Sequence, residues 1–356
     1  MNLSHILGTA ASSIDRAIVR AATWNTQRST PRVGRLSHQE RVTALAGLGA
    51  ITGDVRYWAT PELFFPVPEP IQPRCEPVRD LGTEGGVFDA SWPSEYTPIL
   101  RDTRETYQAQ VKNRVAHARL FLAKKPRPAL IAVHGYLSGS YGFEERAFPV
   151  RWFVRRGFDV ALFVLPFHAY RADRPGAPLF PGADPRFTIE GCRQAIHDIR
   201  GLLRFLLARG APSVGVLGMS LGGYVTSLLT TLEPSLSFAA PIIPLASFAD
   251  FARDQGRFGE GARGEEQYRA YDKAMAVVSP LSRPSKVLPE RILILAAEHD
   301  RVTPMAHAER LAAHFHAPLV AFPGGHVLQF GRREGYRELR RMWERLGLSH
   351  HVSARL

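Results

Sequence analysis

At 356 residues, with 45% hydrophobic and 22% charged residues, the chain can bury a large core as one α/β domain or as two smaller ones. No apolar run approaches the roughly 18 residues of a membrane span; the longest, Val42 to Thr52, also holds two glycines. The net charge of +12 is carried almost entirely by arginine, with only five lysines; it suits anionic surroundings or reflects a GC-rich genome, and no zinc spacing, RNA-binding signature or basic tail points to nucleic acid.

The first residues lack the form of a signal peptide, because there is no basic start and Asp15, Arg16 and Arg20 interrupt any apolar core. Apolar side chains at 3, 7, 10, 14, 18 and 21 instead lie on one helical face. Such a stripe packs on its own domain, on a partner helix, or on a membrane surface, so peripheral membrane contact through residues 1–23 is one expectation. A second helical pattern runs from about His38 to Ile51. Six prolines between Pro61 and Pro77 predict an extended wrap or linker. Residues 1–90 therefore read as a helical, then proline-rich N-terminal extension, and 91–356 as the main domain. Cys75 and Cys192 form at most one disulfide; with Cys192 in a predicted helix, both read as free thiols, and the expected compartment is cytoplasmic.

Asn113 to Ala123 alternates as a half-exposed strand, and Ala129 to Val133 is a fully apolar one. Strands and helices then alternate. Helix is predicted over Phe143 to Arg156, strand over Phe158 to Leu165 and helix over Thr188 to Arg209. The strand Val214 to Leu217 and a helix reaching Leu232 follow, then a strand over Phe238 to Leu245. Arg291 to Ala297, Pro304 to His314, Pro318 to Phe322 and Gly331 to Leu346 give strand, helix, strand, helix. This order predicts a mostly parallel central sheet with helices on both faces. The charged stretch Phe248 to Glu290 breaks the alternation and reads as a lid or cap inserted above the sheet.

Ligands of open parallel sheets bind beyond the carboxyl ends of the strands. Gly218-Met219-Ser220-Leu221-Gly222 stands at such an end, in the strand–turn–helix setting of a nucleophile elbow. A serine hydroxyl needs a base and an orienting acid. Asp300 follows a later strand, in Glu298-His-Asp-Arg-Val-Thr-Pro304, and His326 follows the next, after Gly324-Gly325. Asp300 could also be only a helix cap, and Asp250 or Asp254 could supply the acid instead. An oxyanion would need N–H donors, for which the backbone of Leu221 and of Tyr136, in His134-Gly135-Tyr136, are the candidates. His134, His168 and Arg171 also follow strand ends and are candidate substrate contacts, although His134 reads as a structural hydrogen-bonding residue rather than a second base; Arg174 belongs to the same loop as His168 and Arg171. No metal is expected, because His314-x-His316 and His350-His351 lack further ligands, and no nucleotide-binding motif calls for a cofactor.

On His134-Gly135, the Gly218 to Gly222 motif, Glu298 to Pro304 and Gly324-Gly-His326, the stretch from about 112 to 346 resembles the α/β-hydrolase superfamily. That resemblance implies Ser220 as nucleophile, Asp300 as acid and His326 as base. Pro166 to Arg171 and Pro241 to Pro244 look more loosely like hydrolase-domain proteins with long N-terminal extensions, which leans towards a small-molecule or lipid ester as substrate. An acyltransferase or peptidase on the same residues, and a non-catalytic membrane-associated scaffold, are the competing readings.

Overall fold

A computed structural model describes Asp15 and residues 36 to 349. The apolar stripe expected over the first 23 residues thus lies, Asp15 apart, outside the described residues. Helix α1, His38–Thr52, starts with a reciprocal cap: the Ser37 hydroxyl accepts the Glu40 N–H while the Glu40 carboxylate accepts the Ser37 N–H. A short helix α2, Val55–Ala59, follows.

The proline-rich run yields more regular structure than its composition suggests. β1, Arg74–Asp80, pairs antiparallel with β2, Gly85–Pro93. β1 is the edge strand of the sheet, and its register shifts between Pro77 and Arg79. Proline is tolerated at an edge and at a bulge, where no ladder bond is lost. The boundary expected near residue 90 falls inside β2. Phe64 and Phe65, also N-terminal to it, are buried in the main core.

After α3, Arg101–Gln108, come β3, Val115–Ala123, and β4, Ala129–Val133. The single helix predicted next is two, α4, Tyr141–Ala147, and α5, Val150–Arg155, because Pro149 interrupts it. Then follow β5, Asp159–Phe163; α6, Pro185–Ala208; β6, Val214–Met219; α7, Leu221–Thr230; and β7, Ala239–Ile242. The chain continues through α8, Phe248–Asp254; α9, Gly261–Met275; β8, Ile294–Ala297; α10, Met305–Phe315; β9, Leu319–Phe322; and α11, Arg333–Arg345.

The nine strands of the described residues form one sheet in the order β1-β2-β3-β5-β4-β6-β7-β8-β9. From β5 to β9 all neighbours are parallel, while β1, β2 and β3 join antiparallel. Side chains of β4 alternate between two cores. Ala129, Ile131 and Val133 share one core with Ile196 and Leu203 of α6 and Leu228 of α7, whereas Leu130 and Ala132 belong to the other with Phe153 of α5 and Trp343 of α11. Coverage on both faces is why the central strands read as unbroken apolar runs.

Helices α8 and α9 fill the stretch Phe248 to Glu290, and α9 packs against α1. The Thr52 hydroxyl donates to the Ala274 carbonyl at 2.9 Å, and His38 meets Glu266 at 2.8 Å. Cys75 and Cys192 are both free thiols. Among the described residues, no helix is long and apolar enough to cross a membrane.

Candidate active site

The site is built at the carboxyl ends of β6, β8 and β9. Ser220 stands between β6 and α7 with φ 55° and ψ −113°, a conformation that side-chain-bearing residues rarely adopt. The glycines around it are a steric necessity. A Cβ on Gly218 would lie 2.2 Å from the Gly222 carbonyl oxygen, and one on Gly222 would lie 2.0 Å from that of Val133. Such approaches are open only to glycine. The Ser220 N–H donates to the Ile242 carbonyl at the end of β7 at 2.9 Å, which pins the turn to its neighbour.

Asp300 and His326, on the loops after β8 and β9, converge on this serine. His326 Nε2 is 2.9 Å from Ser220 Oγ, and His326 Nδ1 is 2.7 Å from Asp300 Oδ2. With its proton on Nδ1, the imidazole donates to Asp300 and offers Nε2 to the serine hydroxyl. The carboxylate itself is held by several groups. Its Oδ1 accepts the N–H groups of Val302 and Thr303, each at 2.8 Å. The Thr303 hydroxyl lies 3.0 Å from Oδ2 and 3.1 Å from the Ile243 carbonyl. Asp300 thus orders its own turn, as a capping carboxylate does, and still reaches the histidine.

The electrostatics favour a protonatable imidazole. Burial alone works against the charged form of His326, but the charge and hydrogen bond of Asp300, with a contribution from Asp15, outweigh it and raise its pKa above the ordinary imidazole value. Asp250 and Asp254 are engaged elsewhere. Asp250 pairs with Arg253 and Arg310 and accepts the Tyr268 hydroxyl, and Asp254 faces His307 at 3.4 Å.

Of the two backbone groups expected to meet an oxyanion, that of Leu221 directly follows Ser220, and that of Tyr136 follows a residue packed against it. Leu221 opens α7, whose first intrahelical bond is from the Tyr224 N–H to the Ser220 carbonyl, so no preceding turn claims the Leu221 N–H. Gly135, before Tyr136, lies against the serine: a Cβ on it would be 3.5 Å from Ser220 Cβ.

The expected substrate contacts are placed differently. Arg171 has no exposed surface; it pairs with Asp198 at 2.8 Å and donates to the carbonyls of Val164 and Asn113. It is a structural cation inside the fold and cannot reach a ligand. His134 is buried and accepts the Leu165 N–H through Nε2 at 3.0 Å while Nδ1 meets the Gly135 carbonyl, so it shapes the loop rather than facing a substrate. His168 is also buried, its Nδ1 on the Pro166 carbonyl and its ring edge-on to Tyr136 at 5.8 Å. Arg174 is exposed. Burial holds His134 down at about 3 and His168 at about 4, so both are neutral at neutral pH.

Two residues at the site escaped sequence reasoning. Thr303 could have been found from the Asp-x-x-Thr spacing that returns a hydroxyl to Asp300. Asp15 could not, since the sequence shows only a charge in an apolar stretch. Among the described residues, no group of three or more His, Cys, Asp or Glu gathers as a metal site would require.

The same architecture occurs in solved structures. Acetyl xylan esterase 1 from Thermoanaerobacterium sp. superposes with a TM-score of 0.56 at 18% identity, covering 82% of this chain and 92% of that one. A second acetyl xylan esterase, from Paenibacillus sp. R4, gives 0.53 at 15% identity over 85% and 93%. A model of the prolyl oligopeptidase family matches residues 196–343, the stretch that holds Ser220, Asp300 and His326. The chain has the α/β-hydrolase fold. The chain is also 29% identical over 308 residues to the uncharacterized protein Rv2627c of Mycobacterium tuberculosis, across 83% of this chain and 73% of the relative. That span exceeds what residues 91–356 can supply, so the likeness includes part of the first ninety residues.

Proposed function

We propose that the chain is a serine hydrolase that cleaves carboxylic esters through an acyl-enzyme on Ser220. The observation that carries this reading is the hydrogen-bonded line from Ser220 Oγ through His326 to Asp300, 2.9 Å and 2.7 Å, on a serine held at positive φ. In the first half-reaction Ser220 Oγ attacks the ester carbonyl while His326 Nε2 takes its proton. Asp300 keeps the imidazole in the required tautomer and stabilises its charged form. The negative oxygen of the tetrahedral intermediate would accept the N–H groups of Leu221 and Tyr136. Collapse expels the alcohol, which receives the proton from His326. Water then attacks the acyl group with His326 again as base, releasing the acid and restoring the serine.

The preference for an ester over an amide is supported by the two acetyl xylan esterases of similar fold. The proposed substrate is a small-molecule or lipid ester, with the stretch Phe248 to Glu290 proposed as a lid for it. The match to the prolyl oligopeptidase model favours a second reading, a peptidase on the same residues. Turnover of a panel of short- and long-chain esters against matched amides and peptides separates the two, and added alcohol competing with water detects acyl transfer. Ser220 is expected to label with a fluorophosphonate in the folded protein, and Ser220→Ala to abolish both labelling and turnover. A folded protein that does not label, with Ser220→Ala leaving every measured activity unchanged, overturns the hydrolase reading.

A further inference from the structure

The backbone bonds that join the loops after β8 and β9 stop short of the reacting groups. Glu298 N–H donates to the Phe322 carbonyl at 3.0 Å and His299 N–H to that of Gly324 at 2.8 Å. Among the described residues, that is the last backbone link between the two loops before Asp300 and His326. The next link is made by a side chain from the far end of the sequence. Asp15 Oδ2 accepts the N–H of His326 at 2.7 Å and the N–H of Arg301 at 3.2 Å, and its Oδ1 accepts the N–H of Val327 at 3.2 Å. Asp15 is helical and has no exposed surface.

An ionised carboxylate is well suited to this position because it only accepts, and through two oxygens it can take several donors at once. Here one group satisfies the N–H of the histidine itself, that of the residue after it, and that of the residue after Asp300. It therefore continues, beyond the end of the strands, the stitching that the backbone began.

We infer that Asp15 is a positioning residue for the reaction: its carboxylate ties the His326 loop to the Asp300 loop and keeps the imidazole in line with Ser220. This rests on the reading of Ser220 as the nucleophile. The N-terminal segment thereby supplies a part of the active centre from outside the stretch 112–346 that carries the superfamily motifs. Asp15 acts on the base in a second way, through charge. The ionisable groups that raise the His326 pKa are Asp300, on the loop after β8, and Asp15, from the N-terminal segment; the other partners of the ring are the neutral hydroxyls of Ser220 and Thr303.

The test uses the full chain with Asp15→Asn and Asp15→Ala, each shown to be folded by circular dichroism and thermal melting. Asparagine keeps the size of the side chain and can still accept two of the three N–H groups, but it removes the charge and turns an NH2 towards the third. The expected loss is in kcat, about 10-fold for Asp15→Asn and approaching about 100-fold for Asp15→Ala, as a misplacement of catalytic groups by a fraction of an ångström to 1 Å produces. KM should change by less than about 3-fold, because no contact with substrate is removed. The acid limb of the kcat/KM profile should move to lower pH in both variants, which a merely structural loss would not cause. The rate of fluorophosphonate labelling should fall in proportion to kcat. A folded Asp15→Asn with wild-type kcat, acid limb and labelling rate overturns this inference and leaves the hydrolase reading intact. A wild-type protein that neither labels nor turns over overturns both.

Discussion

Two of the regions that bury carboxylates use them in opposite ways. On α6, Asp198 pairs with Arg171 at 2.8 Å and accepts the Ser94 hydroxyl at 2.7 Å, with both members of the ion pair fully enclosed. Burial by itself would raise its pKa, but Arg171, with help from His197 and Ser94, holds the Asp198 carboxyl below the ordinary range. At the edge of the sheet, Asp300 is just as buried, yet it is met by two N–H groups, a hydroxyl and an imidazole. Among the described residues its ion-pair partner is His326. A guanidinium never gives up its proton, so the charge of Asp198 is permanently matched and the pair is inert. An imidazole can be neutral or charged, so the charge of Asp300 is free to stabilise a proton that arrives during turnover.

The largest expected difference between the two regions comes from removing each negative charge in turn. Asp300→Asn preserves the shape but presents an NH2 where His326 needs an acceptor, which favours the wrong tautomer. It should lower kcat by about 10,000-fold with little effect on folding. Asp198→Asn leaves Arg171 buried without its counter-charge, and should cost about 3–5 kcal/mol of stability while the turnover per labelled site stays near wild type. Fluorophosphonate titration of active sites, combined with urea unfolding, measures both quantities on the same samples. Equal losses of kcat in the two variants at unchanged stability would show that the buried pair belongs to the reaction after all.

Arginine 171 sharpens the contrast from the other side. Replacing the pair together by Arg171→Met and Asp198→Leu removes the charges without stranding either, so it should recover most of the stability lost in Asp198→Asn. The thermal midpoint of the double variant, set against each single one, reads this directly. A double variant no more stable than Asp198→Asn would mean that the hydrogen bonds of Arg171 to Val164 and Asn113 matter more than the ion pair.

Acidity gives a smaller and more selective signal. His326 must be neutral to accept the serine proton, so activity should disappear as pH falls through its pKa. Because that pKa is raised, the acid limb should lie above the ordinary imidazole value of about 6.5 and move down when Asp300 is made neutral. His134 and His168 titrate near 3 and 4, so neither adds an inflection between about pH 5 and 8. A second acid-side inflection in that range, removed by His168→Gln, would place His168 in the reaction.

This contrast also marks what the sequence reveals. Strands buried on both faces announce themselves as apolar runs, and Gly157 and Gly210, at φ 86° and 103°, end helices where sequence places the stops. Ser220, Asp300 and His326 are legible because their order and their places after strands constrain them. A place after a strand does not fix the direction of a side chain, however. Phe167 and Ala169 adopt positive φ, 63° and 42°, with no glycine to signal it. This turns the segment after β5 inward, where His168 and Arg171 are enclosed. The partners of Arg171, Asn113 and Asp198, are remote in sequence, as Asp15 is from His326. Contacts of that kind have no local signature.

Thr303 carries the smallest expected effect and tests how finely the charge of Asp300 is tuned. Its hydroxyl sits 3.0 Å from Asp300 Oδ2, 3.1 Å from the Ile243 carbonyl and 3.1 Å from His326 Nδ1, so it fixes the carboxylate oxygen that the histidine uses. Thr303→Val keeps the volume and removes the hydroxyl. A single hydrogen bond is worth about 0.5–1.5 kcal/mol, which corresponds to a decrease of about 2- to 13-fold in kcat if the bond serves the transition state. Thr303→Ser, which restores the hydroxyl without the methyl group, should regain most of that rate. The N–H groups of Val302 and Thr303 remain on Oδ1 in both variants, so the position of Asp300 is preserved while the support of its other oxygen is lost. Rescue by serine but not by valine assigns the effect to the hydroxyl; equal rates in all three would leave the two backbone donors sufficient to hold the acid.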